Sequence, residues 1–223
     1  MRLTTRKFIA IFLAMATAGL LVVLATTGKA PAKEPVGAMA ALSQTCIALN
    51  AGAPLQLPAL ITTNKRTFLT KHLQGHWSVI FFGFTSCPMT CPQTLSVLSA
   101  VAHNSASGIL SGTTQPVFVS VDPEHDSPEA LAVYLKHFDS HIIGLTGSRD
   151  AVDRFAHEIG AGYRSVGSTI DHSTSLFVVD PKGRLAGILL RPNKPATIVA
   201  DLTKLRFSYT EMPVGTTDGA RPN

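Results

Sequence analysis

Residues 78–92 read SVIFFGFTSCPMTCP: an apolar run, a Gly-Phe-Thr-Ser turn, then two cysteines four positions apart, each followed by proline. Val79, Ile80, Phe81, Phe82 and Phe84 make the near-continuous apolar pattern of a strand covered on both faces, as in a parallel sheet. Pro92 suits the first position of a helix, where its missing N–H costs nothing. The stretch is therefore a strand feeding a helix, with Cys87 and Cys91 at or just before the helix N-terminus. Unpaired N–H groups and the helix dipole favour thiolate over thiol at such a place. Two easily ionised sulfurs side by side either form a disulfide or hold a soft metal ion.

The pattern continues on both sides of this junction. From Cys91 onward Leu95, Leu98 and Val101 recur at helical spacing, and Pro116–Val121 reads as a second buried strand. Ser127-Pro128-Glu129 supplies an N-cap, a first-turn proline and an acidic residue, opening a helix with Leu131, Leu135 and Phe138 inward. Ile142–Leu145 is a short strand. A helix follows Ser148, with Val152, Phe155 and Ile159 inward and Gly160 at its end. Leu176–Val179 and Leu185–Leu190, joined by Asp180-Pro181-Lys182-Gly183, form a hairpin, and Pro195 opens a last helix carrying Ile198, Leu202 and Leu205. Upstream, residues 57–73 hold two short apolar segments around Thr63-Asn64-Lys65, a further hairpin. This alternation predicts an α/β fold, a thioredoxin-like sandwich with a mixed central sheet and flanking helices.

A chain of 223 residues supports one domain of this kind plus extra segments. The net charge is +5, and Arg2, Arg6 and Lys7 precede the first apolar segment. No Arg/Lys stripe with interleaved aromatics is present, which argues against nucleic-acid binding. Phe8–Thr27 carries no charge and is long enough to cross a bilayer as one transmembrane helix. The basic residues ahead of it place residues 1–7 in the cytoplasm and the following domain in the periplasm or an equivalent exported compartment. A cleaved signal peptide has a shorter apolar core, about 7–15 residues, and Gly28-Lys29-Ala30 is a mediocre cleavage site, so a membrane anchor is the preferred reading. Residues 28–56, rich in Ala, Pro and Gly, read as a tether, residues 57–207 as the folded domain, and residues 208–223 as a flexible tail. Cys46 lies apart from the cysteine pair and reads as a small, partly buried side chain.

Asp171-His172-Ser173 stands just ahead of the strand at 176–179. In a sheet of this topology the loop entering that strand returns beside the helix N-terminus that bears the cysteines, which brings His172 toward both sulfurs. Two thiolates and one imidazole form a three-coordinate set suited to Cu(I), and one that Cu(II) also accepts. His72, His76, His103, His125, His137, His141 and His157 read as surface or hydrogen-bonded residues. Asp122 and Asp126 read as loop-shaping residues, and Asp171 as the hydrogen-bond partner that orients His172.

Three segments, residues 82–95, 121–129 and 171–181, together resemble the Sco/SenC family. These are membrane-tethered, thioredoxin-fold copper proteins that help metallate the binuclear copper centre of cytochrome c oxidase. The resemblance spans roughly residues 55–207. It implies a copper ion as cargo, with Cys87, Cys91 and His172 as its ligands. It also implies the copper-site subunit of cytochrome c oxidase as recipient, and a thiol reductant or an upstream copper donor as a further partner. A thiol–disulfide oxidoreductase remains the alternative, with Cys87 and Cys91 as a redox-active pair that reduces the copper-site cysteines of a partner. Met89 departs from the family pattern, which commonly has an acidic residue directly after the first Cys-Pro.

Overall fold

In the computed structural model, which describes residues 42–50, 52–107, 114–166, 169–191 and 194–211, the apolar run becomes the middle of a sheet. The strands are β1 (Cys46–Ala48), β2 (Leu60–Thr62), β3 (Thr67–Phe68), β4 (Trp77–Gly83), β5 (Thr114–Ser120), β6 (Ile143–Thr146), β7 (Tyr163–Val166), β8 (Thr169–His172), β9 (Leu176–Val179) and β10 (Leu185–Leu189). The helices are α1 (Thr90–Ser107), α2 (Pro128–Leu135), α3 (Arg149–Ile159) and α4 (Pro195–Glu211). Every residue of β4 is buried. It pairs in parallel with β5 on one side, Phe81 opposite Phe118, and antiparallel with β9 on the other, Phe81 opposite Leu176.

The main sheet runs β1-β10-β9-β4-β5-β6-β2-β3. The parallel trio β4, β5 and β6 is linked by α1 and α2, and the antiparallel β9–β10 hairpin completes a mixed sheet with flanking helices. Local chemistry sets the helix ends as the sequence predicts. Ser127 and Ser148 side chains accept the Ala130 and Ala151 N–H groups at the starts of α2 and α3, and Gly160 at φ 76° closes α3.

Four features differ from the sequence reading. Cys46–Ala48 pairs with β10 and Leu55 is buried, although both lie in the 28–56 stretch read as a tether. The Ser43 N–H donates to Asp201 on α4 at 2.9 Å, which fastens this segment further. A three-residue edge strand is too short to show alternation, so its pairing is decided by the open edge of β10 rather than by its own pattern. The antiparallel β7–β8 ribbon is the second difference; its sequence is too polar and too short to announce strands. Third, α4 continues past residue 207 to Glu211, so the stretch read as a tail begins as helix. Fourth, α1 starts at Thr90, ahead of Cys91. The anchor expected at residues 8–27 and its cytoplasmic flank at 1–7 lie outside the described residues; among those described, no helix is long and apolar enough to cross a membrane.

The β9–β10 turn rests on one buried carboxylate. Asp180 accepts the Lys182 and Arg184 N–H groups at 2.9 Å each and pairs with the Arg184 guanidinium at 2.6 Å. Asp180→Ala leaves those donors without an acceptor and costs about 3 kcal/mol. Urea unfolding reads this as a lower midpoint at unchanged slope. A loss under about 0.5 kcal/mol, the range of an ordinary surface change, would show that the carboxylate does not hold the turn.

Candidate metal centre

Past Gly83 the chain turns through Phe84, Thr85 and Ser86 before entering α1. Asp126, buried in the loop after β5, holds this turn in place. Its carboxylate accepts the Thr85 N–H at 3.0 Å, the Thr85 hydroxyl, and the Ser120 hydroxyl at 2.6 Å. Asp122 also shapes this loop, its carbonyl accepting the Asp126 N–H at 2.9 Å while its carboxylate meets His125. Both aspartates thus act as the sequence suggests.

Cys91 lies in the first turn of α1 and Cys87 three residues ahead of the helix start. Pro92 is third in the helix rather than first, still among the four residues whose N–H groups have no intrahelical partner. One of those free donors, the Cys91 N–H, points at Cys87 Sγ at 3.4 Å. The Thr90 hydroxyl is 3.3 Å from the same sulfur. His172 Nε2 is 3.2 Å from Cys91 Sγ and 3.9 Å from Cys87 Sγ. The three donor atoms all lie within 4.8 Å of one another.

His172 reaches the sulfurs as the last residue of β8, not from a loop. Its Nδ1 is 3.1 Å from the Ser173 carbonyl. A carbonyl only accepts, so Nδ1 carries a proton and Nε2 faces the sulfurs: when it holds a proton it donates to the Cys87 thiolate, and without that proton it offers its lone pair to a metal. Phe81 and Phe84 flank the ring, with centroids at 5.9 and 5.6 Å. The expected role of Asp171 is corrected here: it pairs with Arg164 at 3.3 Å across the ribbon. Neighbouring residues on a strand face opposite sides, so Asp171 and His172 do not share one.

Gly83 is a functional position that the sequence reading passed over. A Cβ there would lie 2.8 Å from Cys91 Sγ and 2.9 Å from Phe118. Its signal was present: an isolated glycine in an apolar strand marks a close approach.

The two thiols ionise very differently. Burial opposes ionisation of Cys87, but hydrogen bonds from His172, Thr90 and the Cys91 N–H outweigh it and bring the thiol down to about 6. Burial pushes the Cys91 thiol up; the Phe84 backbone counters this in part, while charge on Cys87 and Asp126 adds to it. Nε2 lies nearer to Cys91, yet Cys87 ionises first, because Cys91 is the more deeply buried and then faces a like charge. Cys46 stands three strands away across the sheet, and burial followed by Asp201 raises its thiol to about 11. Met89, between the paired cysteines, is 65% exposed.

The SCO1/SenC family model matches residues 58–206, a span that contains the strand, the cysteine turn and the histidine ribbon. The chain belongs to the SCO1/SenC family. The SCO2-like protein of Rickettsia prowazekii is 35% identical over 143 residues, 60% of this chain and 66% of that protein. The structure of Arabidopsis thaliana ScoI with copper bound aligns with a TM-score of 0.64 at 29% identity, covering 70% of this chain and 100% of that one. Yeast Sco1 with copper bound aligns with the same TM-score and identity, covering 73% and 92%. The chain spans 43–68% of the length of several curated relatives it matches.

With metal removed, alkylation of Cys87 should follow a midpoint near pH about 6, falling as acid protonates the thiolate, while Cys91 reacts only at higher pH. His172→Ala removes a hydrogen bond to the thiolate and moves that midpoint upward; an unmoved midpoint would show that the ring does not act on the sulfur's charge. Gly83→Ala should force Cys91 Sγ or Phe118 aside and cost about 1–3 kcal/mol, the range for overpacking a filled interior. A variant as stable as the parent, with an unchanged alkylation profile, would mean the strand end yields freely.

Proposed function

We propose that this chain carries copper on Cys87, Cys91 and His172 and delivers it to the copper-site subunit of cytochrome c oxidase. The observation that carries the reading is the meeting of two cysteine sulfurs and one imidazole nitrogen within 4.8 Å, in a chain whose family includes structures with copper bound. Two soft thiolates with a single imidazole select copper over hard cations. The Cys91 N–H and Thr90 hydroxyl hold Cys87 as a thiolate near neutral pH, so the metal meets a ligand that is already ionised. Ser173 fixes the imidazole tautomer with Nε2 facing the sulfurs. Release needs no covalent step, since thiolates of a partner take the ion by ligand exchange.

The organisation proposed with this function has a cytoplasmic segment at 1–7, an anchor at 8–27, a tether leading into the copper-binding domain, and a short tail after α4. The domain then stands in the periplasm or an equivalent exported compartment. There an upstream copper donor loads it, or a thiol reductant keeps its cysteines open.

A second reading is favoured by the contrast between the thiols. Cys87, low in pKa and at the loop, is arranged as the attacking sulfur, and Cys91 as the resolving one. Cys87 thiolate would attack a partner disulfide, forming a mixed disulfide and freeing one partner thiolate. Cys91 would then attack Cys87, leaving a Cys87–Cys91 disulfide and a reduced partner. The two electrons come from the pair, and an external thiol reductant restores it.

Anaerobic purification of the full chain followed by metal analysis separates the readings. Copper delivery predicts bound copper and, for His172→Ala, affinity lower by at least about 100-fold, since even an outer-shell change costs 10–100-fold. Cys87 and Cys91 should still form a disulfide in that variant. Absence of copper from the parent, or equal affinity in the variant, would overturn the proposal.

A further inference from the structure

An open groove of 560 Å³ starts at the cysteine loop and follows α1. Its wall includes Thr90, Gln93 and Thr94 from α1, Thr174 from the connection between β8 and β9, and Arg191 after β10. It joins the candidate metal centre at two points. The Thr90 hydroxyl is 3.3 Å from Cys87 Sγ, and Thr174 follows His172 by two residues. Met89 stands exposed beside Thr90.

The polar groups of this groove suit a polypeptide. The Thr94 hydroxyl donates back to the Thr90 carbonyl at 3.0 Å, which leaves its oxygen as an acceptor in a largely buried part of the wall. On either side of Thr174, the Ser173 N–H is bonded to the Gly162 carbonyl and the Ser175 N–H to the Ser173 hydroxyl. Thr174 itself has neither its N–H nor its C=O paired among the described residues. An unpaired main-chain donor and acceptor on one half-buried groove residue is the unit that pairs with an extended segment laid alongside. Arg191 is the single charged residue of the wall among the described residues, and no carboxylate lines it. Its φ of 48° is a conformation that non-glycine residues seldom adopt, and such strain concentrates at binding sites.

We infer that this groove receives an extended segment of the protein that exchanges copper with the centre, paired to the Thr174 main chain, with an acidic side chain of the segment against Arg191. The inference rests on the copper-exchange reading and adds the recognition chemistry: partners are selected by a carboxylate close in sequence to their metal-binding cysteines. The uncharged hydroxyl wall leaves Arg191 to set the sign of that preference.

The test uses the full chain in detergent, reduced and metal-free, with two fluorescent ten-residue peptides. Each carries a pair of cysteines; one has a glutamate beside them and the other a lysine at that position. The expected result is about fivefold tighter binding of the glutamate peptide, the most an exposed ion pair supplies, with the preference shrinking as salt rises. Arg191→Glu should reverse the preference and Arg191→Lys keep most of it, while copper content, measured separately, stays at the parent value. Equal affinity for the two peptides, or a preference untouched by Arg191→Glu, would overturn the inference. Parent protein lacking copper would instead strike at the copper reading, whatever the peptides do.

Discussion

Cys91 Sγ and the backbone of Gly83 occupy adjoining space at the end of the central strand, and no residue with a Cβ at position 83 leaves both where they are. That closeness follows from burial. β4 is covered on both faces, Phe118 closes one side of Gly83, and α1 must start immediately beyond the turn to cover the sheet. The helix can descend that near to the strand only because the strand ends without a side chain. The same packing puts Cys91 out of solvent and leaves Cys87 on the outer side of the turn. The difference between the two sulfurs is thus set by sheet packing before any hydrogen bond is considered.

Hydrogen bonds then widen that difference. A free N–H of the first helical turn and the Thr90 hydroxyl both serve Cys87, while Cys91 faces the sulfur charge they stabilise and the buried carboxylate of Asp126. One thiolate is therefore ready at neutral pH, and the second ionises only when a compensating positive charge arrives. A bound cation supplies that charge, whereas in disulfide exchange the second sulfur loses its proton as it forms the new S–S bond and the leaving thiolate takes up a proton. Copper binding and dithiol chemistry draw on the same arrangement, so the pair alone does not choose between them. His172 favours the first: an imidazole nitrogen facing both sulfurs adds a ligand to a metal and no electron to a redox couple.

Much of this was legible in the primary structure, for identifiable reasons. The apolar run Val79–Phe82 of β4, the serine caps of α2 and α3 and the turn at Asp180–Gly183 are local signals, and each produced the element it predicts. The convergence of Cys87, Cys91 and His172 followed from sheet order once those elements were placed. What escaped was decided by distant partners. β1 exists because β10 offers an edge, and the β7–β8 ribbon is held by main-chain pairing that its polar side chains do not advertise. Gly83 was visible as a glycine but not as the neighbour of Cys91, since that contact spans a turn and a helix start.

The ribbon also explains how negative charge is kept off the imidazole. In a loop, Asp171 is free to swing onto His172; in a strand, alternation sends it to the other face, where Arg164 takes it. A carboxylate on Nδ1 would make the imidazole more basic and stabilise its charged form, which carries no lone pair for a metal. The Ser173 carbonyl fixes the same tautomer without that charge. The acidic group that does sit close to the centre, Asp126, is spent on Thr85 and Ser120 and acts on the turn rather than on the ring. Placing one carboxylate under the turn and the other across the ribbon leaves His172 with no carboxylate partner among the described residues and with Nε2 facing the sulfurs, an arrangement in which two thiols and an imidazole can share one cation.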